Sequence, residues 1–381
     1  MKLGILTQPL HSNYGGLLQA WALQTVLSRM GHHSEIIQRE FVRVCDLSIL
    51  RQIAHKGKKS VMDILGKPTP VKPDTHQINI IRSNTSRFLN SRYSGLSPIL
   101  YTEKSLREYI SSQKFDGYVV GSDQVWRPCY SPAICNYYLD FIGEESNVKR
   151  IAYAASFGVD FWEYSPKQTD MAKRLAKKFD VITVRESSAV ELVKRFLDCP
   201  ATHVADPTML LEKEDYESLV EKSTCKLHNS EGTTFCYVLD SSQDVQEVIC
   251  KCMEVTHTTP YYCNAKRKVS SKEDLNNIEE CIFPPVEQWI KSFMDAKMVI
   301  TDSFHGTVFS IIFNRPFWVV ANKNRGTARF TSLLSLFGLE DRLVTDSSKI
   351  DWNKPIDWKI VNEKRSLFAS KSLSILTQSL K

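Results

Sequence analysis

The chain has 381 residues, well beyond the roughly 150 of a single domain, so two cores with a cleft between them are expected. Hydrophobic residues make up 42% and charged residues 24%, which excludes a disordered, collagenous or small disulfide-stapled chain. The net charge of +6 comes from 49 basic and 43 acidic residues mixed along the sequence, which suits anionic small molecules and excludes the massed basic face of a nucleic-acid binder.

Residues 2–7 predict a buried first strand and carry no secretion signal, and no apolar run approaches the roughly 20 residues of a membrane span. The expected setting is the cytoplasm, with peripheral contact at the inner membrane face left open. The loop His11 to Gly16 follows. Leu18, Ala22, Val26 and Met30 then fall at fourfold spacing and predict a helix over 17–30, stopped by Gly31. Residues 34–38 read as a second strand. Residues 43–100, with their Lys-Gly and Lys-Pro runs, read as an insertion or lid.

Regular alternation of strands and helices resumes at 115–121 and continues through strands at 150–156, 181–184 and 201–205. It is the pattern of parallel sheets covered by helices on both faces. The second half repeats it, with strands at 233–239, 260–263, 298–301 and 316–321, and helices at 245–255, 286–296, 306–313 and 327–337. A terminal helix over 357–380 is expected to cross back to the first half. The prediction is an α/β protein of two domains, 1–212 with the insertion and 213–381 with the terminal helix. Ten scattered cysteines without a CxxC pair read as reduced core thiols, and no metal site is expected.

The segment Val299 to Phe309 is the most informative, because a strand ends in polar residues and turns at once into a helix, the place where doubly wound sheets border their ligand crevice. Ser303 is placed to cap the helix. The N–H groups around Gly306 and Thr307 are expected to point at an anion, with His305 in the first turn. A second junction of the same shape puts Arg185 at a strand end, either for bidentate binding of carboxylate or phosphate or for an ion pair with Glu186 or Glu191. The loop Asn13-Tyr14-Gly15 offers backbone contact to a ligand, or a tight turn without one. In Gly121 to Arg127, Asp123 is a candidate acceptor base or a helix cap, and Gln124 and Trp126 give the mixture of amide and aromatic that suits a sugar. Lys323, Arg325 and Arg329 follow a later strand and can neutralise a phosphate or lie in solvent.

These residues also carry a resemblance. Asn13-Tyr14-Gly15 with Gln19-Ala20-Trp21-Ala22-Leu23, Gly121-Ser122-Asp123-Gln124-Val125-Trp126, Arg185-Glu186, Ala205-Asp206-Pro207-Thr208 and Asp302-Ser303-Phe304-His305-Gly306-Thr307 resemble, in this order, the polysaccharide pyruvyl transferase family. The resemblance covers most of the chain. It implies two Rossmann-like domains facing a cleft, a GT-B-like fold, and transfer of the enolpyruvyl carbons of phosphoenolpyruvate (PEP) to a sugar of a capsule or exopolysaccharide precursor as a ketal. PEP is then the donor substrate, with no further cofactor, and the partner is a sugar acceptor, lipid-linked or free. Family members commonly show Arg-Leu-His where this chain has Ser303-Phe304-His305. The histidine carries over to His305 and the mid-chain arginine to Arg185; the first arginine has no counterpart, so either this branch binds the donor differently or, as the residues themselves suggest and the resemblance does not, Lys323, Arg325 or Arg329 supplies the charge. On this reading His305 is the general acid/base and Asp123 orients the acceptor hydroxyl. Two alternatives stay open: a glycosyltransferase using a nucleotide sugar, and a catalytically inactive polysaccharide-assembly partner.

Overall fold

The structure is a computed structural model that describes residues 1–42, 71–143, 147–240, 242–321 and 327–381. In the first half β1 (Lys2–Leu6), α1 (Tyr14–Arg29) and β2 (His33–Ile36) lead to α2 (Thr75–Ile81), α3 (Ser83–Arg92) and α4 (Glu103–Ser112). Then come β3 (Gly117–Val120), β4 (Lys149–Ala155), α5 (Pro166–Ala176), β5 (Val181–Val184), α6 (Ser187–Leu192) and β6 (Thr202–His203). The second half runs α7 (Lys213–Glu221), β7 (Thr234–Tyr237), α8 (Gln243–Thr256), β8 (Pro260–Tyr261), α9 (Lys272–Asn276), α10 (Val286–Asp295) and β9 (Met298–Thr301). It closes with α11 (Phe304–Ile312), β10 (Phe317–Val320), α12 (Ala328–Phe337), β11 (Leu343–Val344) and α13 (Trp358–Ser379).

The first six strands form a parallel sheet in the order β2-β1-β3-β4-β5-β6, and the other five a parallel sheet in the order β11-β10-β9-β7-β8. Both faces of such sheets are covered by helices, which is why Tyr118-Val119-Val120 and Met298-Val299-Ile300 read as continuous apolar runs and are buried. In each sheet the chain steps outward once and then returns to the other side of its first strand, so strand order reverses between β1 and β3 and between β7 and β9. Ligand crevices form at such switch points. The two switch points face each other, because the β1–α1 turn of one half meets the β9–α11 turn of the other at Gly15 and His305.

One hydrophobic cluster joins the halves, running from Leu3 and Ile5 through α1 to Trp289 and Phe309. Aromatic rings mark the seam: Tyr14 stacks on Trp289 at 5.7 Å, Trp21 meets Tyr216 edge-on at 5.7 Å, and Tyr216 meets Phe309 at 4.9 Å. The terminal helix crosses back as its pattern suggests, with the Ser372 hydroxyl accepting from Ala205 N at 2.9 Å.

Residues 75–92 belong to the segment read as an insertion or lid. They form two helices, the first opened by a capping box between Asp74 and Gln77, and they bury Ile81, Phe88 and Leu89. Asn84 donates to the Phe283 carbonyl at 2.9 Å and Arg87 pairs with Glu287 at 2.5 Å, so the segment is clamped to the second half. Residues 43–70 lie outside the described residues. No helix among the described residues is long and apolar enough to cross a membrane.

Candidate functional site

The site begins with how α11 sits on its strand. A β-carbon on Gly306 would stand 2.2 Å from Thr301 Oγ1, so glycine is what lets the first turn of the helix settle against β9. Ser303 caps that turn, its hydroxyl accepting from Gly306 N at 3.4 Å and its carbonyl from Thr307 N at 3.0 Å. The cap is as expected, but the N–H groups of Gly306 and Thr307 are therefore engaged inside the helix and do not face an anion. Thr307 is fully buried.

Seated in this way, the helix carries His305 into the first half. A β-carbon on Gly15 would stand 2.1 Å from His305 Nδ1, so Gly15 makes room for the ring and does not offer backbone to a ligand. His305 Nε2 is buried without a hydrogen-bond partner among the described residues and stands 3.6 Å from Asp206 Oδ2, an ion-pair distance. Asp206 is anchored on its other side, where Oδ1 accepts from Thr208 N at 3.0 Å and Thr208 Oγ1 at 2.7 Å. Its Oδ2 accepts from Ser122 Oγ at 3.0 Å and Arg185 Nη1 at 3.2 Å. Burial is the largest single influence on this carboxyl and opposes its charge, but His305, Arg185 and Thr208 together outweigh it and hold its pKa well below the usual carboxylate range.

Arg185 occupies a different place from the one its strand-end position suggests. Its guanidinium is buried, donating to Asp206 and to Ser156 Oγ at 3.2 Å, with Asp123 Oδ1 at 3.4 Å and Glu186 at 3.7 Å, and it stacks on the Phe304 ring at 4.3 Å. Burial lowers its pKa most, but the three carboxylates reverse the shift and raise it. The ion pair is with Glu186, as one reading had it, and with two aspartates besides. Glu186, which also accepts from Ser156, is pushed upward by burial against the pull of Arg185. Asp123 caps no helix; it sits at φ 66°, with Oδ1 shared between Gln124 N at 2.9 Å and Arg185.

A cavity of about 160 Å³ lies over this cluster. It brings together Asn13, Asp123, Gln124, Ser303, Phe304, His305 and Arg329 from both halves, and adds Arg127, Tyr130, Leu239 and Asp302. Arg329 Nε is buried without a hydrogen-bond partner among the described residues. Burial, then the nearby Arg185 charge, lower the pKa of Arg329 against the pull of Glu186 and Asp123. Arg127 is held to Glu163 by bonds of 2.9 and 3.1 Å. Lys323 and Arg325 lie outside the described residues.

Two expected site residues belong to the core instead. Trp126 is fully buried, stacked on Tyr138 at 5.0 Å with its indole N–H donated to the Tyr137 carbonyl at 2.9 Å, so it offers no face to a sugar. Tyr14 is buried at the seam, its hydroxyl donated to the Pro284 carbonyl at 2.9 Å. Asn13 caps α1 through Gly16 N and also lines the cavity. Asp206 and Arg127 were not singled out from sequence as site residues. The Asp-Pro pair just past a strand end and the cation directly after Trp126 were the available signals.

Two parallel α/β sheets whose switch points face each other across a polar cavity define a GT-B-like protein. The UDP-GlcNAc 2-epimerase from Neisseria meningitidis bound to UDP-GlcNAc is similar over 100% of this chain and 99% of its own, with a TM-score of 0.50 at 9% identity, a likeness of fold alone. The UDP-GlcNAc 2-epimerase from Methanocaldococcus jannaschii gives a TM-score of 0.48 at 13% identity over 99% of this chain and 100% of its own. A mutant O-GlcNAc transferase from Thermobaculum terrenum gives 0.49 at 10% identity over 100% of this chain and 66% of its own. Comparison with the curated proteins finds no match. The sequence model of the polysaccharide pyruvyl transferase family matches residues 13–324, and the chain belongs to that family.

Proposed function

We propose that the chain moves the enolpyruvyl group of PEP onto two hydroxyls of a sugar in a polysaccharide precursor, forming a pyruvate ketal and releasing phosphate. The observation that carries this reading is the pairing, in one small cavity, of His305 backed by Asp206 with the guanidinium of Arg329, whose buried Nε has no hydrogen-bond partner among the described residues. PEP carries a carboxylate and a phosphate, and a fixed cation at the cavity wall recognises either one. Arg185, with its charge committed to carboxylates, acts as the buried scaffold that holds Asp206 and Asp123 in place.

In this mechanism His305 is the general acid/base. Asp206 faces Nε2 and stabilises the ring when it carries a proton, which leaves Nδ1, beside Gly15, for the substrate. A proton added to the PEP methylene carbon makes it a methyl group and leaves the adjacent carbon cationic. A first sugar hydroxyl attacks that carbon and gives up its proton to the base. The carbon–oxygen bond to phosphate then breaks, and a second hydroxyl closes the ketal, its proton leaving with phosphate. Asp123, at the cavity edge, orients the attacking hydroxyl.

Thermal stabilisation by PEP, with phosphate and pyruvate as controls, tests the donor. At 100 times the dissociation constant about 2.7 kcal/mol of stabilisation is expected. PEP-selective stabilisation that Arg329→Ala removes, together with a loss of roughly 10²-fold or more in turnover in His305→Ala, is the expected result. Stabilisation by a nucleotide sugar and none by PEP would overturn the reading.

A further inference from the structure

Beside the His305 cavity a second one of about 250 Å³ opens, and the two share Asn13, Asp123, Gln124 and Tyr130. Its remaining wall includes Gln8 and Phe41. Tyr130 is 45% exposed and Phe41 49% exposed, and both of these large aromatics border this one opening. Large rings left in water at a concave site rimmed by polar groups mark a place where something apolar is meant to rest.

The surroundings say what kind of ligand fits. The Arg127 guanidinium lies over the Tyr130 ring at 4.7 Å, and because Arg127 is itself bonded twice to Glu163 and once to Gln124 Oε1 at 3.3 Å, the ring is fixed before any ligand arrives. The Gln8 side-chain nitrogen donates to the Gln124 carbonyl at 2.7 Å and to Ser131 Oγ at 3.1 Å, which sets the amide in one orientation. Exposed rings beside fixed amides and a carboxylate match a pyranose, whose C–H face is apolar while its hydroxyls need donors and acceptors around the edge. A lipid chain would make no hydrogen bond to the amides and the carboxylate that line the opening.

We propose that this opening is the acceptor subsite, in which a pyranose ring lies against Tyr130 with Phe41 at its flank and its hydroxyls reach Gln8, Gln124 and Asp123. Tyr130 lines both cavities, so a sugar resting on it presents its edge hydroxyls toward His305. The assignment rests on the proposed pyruvyl transfer for its role as acceptor, but not for the binding itself. Tyr130 thereby takes the part that sequence gave to Trp126.

Saturation-transfer NMR on the full chain tests it, with the methyl glycosides of glucose, galactose, mannose and N-acetylglucosamine as probes. At least one glycoside is expected to bind with the strongest transfer to the C–H protons of one ring face. Its affinity should fall roughly tenfold in Tyr130→Ala, the equivalent of about 1.4 kcal/mol, and survive in Tyr130→Trp. Absence of binding by every probe, or equal binding by Tyr130→Ala and the parent, overturns the subsite. Glycoside binding that depends on Tyr130 in a protein that PEP does not stabilise would sink the donor reading while leaving the subsite standing.

Discussion

Gly15 and His305 are packed so closely across the two halves that a β-carbon on the glycine would stand 2.1 Å from Nδ1, 2.3 Å from Cγ and 2.6 Å from Cβ of the histidine. No small rotation of the ring relieves three overlaps that extend back to its own β-carbon. Gly15→Ala should therefore push His305 away from Asp206. The backbone there is ordinary helix, where alanine is the better helix former, so stability should change by no more than about 1–3 kcal/mol. Turnover should fall about as far as in His305→Ala, roughly 10²-fold or more. Steady-state kinetics beside a melting curve check this, and a fully active Gly15→Ala protein would separate the ring's position from catalysis.

Arg185 and Arg329 should divide cleanly between folding and binding. Arg185→Met removes the cation shared by Asp123, Glu186 and Asp206 and leaves buried carboxylates uncompensated, a loss of about 3–5 kcal/mol. Arg329→Ala leaves those carboxylates paired with Arg185 and should keep near-parental stability while losing the response to PEP. Denaturant unfolding with and without PEP distinguishes the two. A stable Arg185→Met protein that has lost only its PEP response would return Arg185 to the anion site.

Much of this arrangement was legible in local sequence. Strands β5 and β9 fall where their apolar runs put them, and the cap at Ser303 is set by residues three apart. Local signals failed where the deciding contact is distant. The three carboxylates that neutralise Arg185 leave three separate strand ends, two of them 62 and 21 residues away. Which aromatic after Gly121 faces outward depends on the turn at Asp123, whose φ of 66° redirects the chain so that Trp126 enters the core and Tyr130 does not. Helices α2 and α3 were missed because they bury few apolar side chains, and their stability comes from contacts with Phe283 and Glu287 that lie about 200 residues on.

Asp206 gives a dependence of stability on pH with a definite sign. Its carboxyl has a lower pKa folded than unfolded, so its contribution is complete above the unfolded value of about 3.9 and is lost as pH falls below it. Asp206→Asn should cost about 3 kcal/mol near pH 6, by weakening the hold on Arg185 and the Ser122 hydroxyl. The difference between parent and variant should narrow as pH drops below about 4. Glu186 shifts upward and acts in the opposite sense, but it is present in both proteins and cancels in the comparison. Denaturant midpoints from pH 6 to 3 check the prediction; a constant difference would mean that Asp206 is not ionised in the folded protein.

The arginine that the family resemblance leads one to expect at position 303 can be put back, and the result depends on where this chain keeps its donor charge. Ser303→Arg alone deletes the helix cap, costing about 1 kcal/mol, and crowds a further guanidinium into a cavity of about 160 Å³ that Arg329 and Arg127 already line. Like charges at that range repel, so PEP should stabilise this variant less than the parent. In Arg329→Ala the same substitution enters a cavity whose remaining arginine among the described residues, Arg127, is paired with Glu163, and here it should restore part of the PEP response. Opposite effects of one substitution in the two backgrounds would show that positions 303 and 329 supply the same charge by different routes. Thermal shifts across the four proteins measure it, and equal effects in both backgrounds would mean that Arg329 does not replace the family arginine.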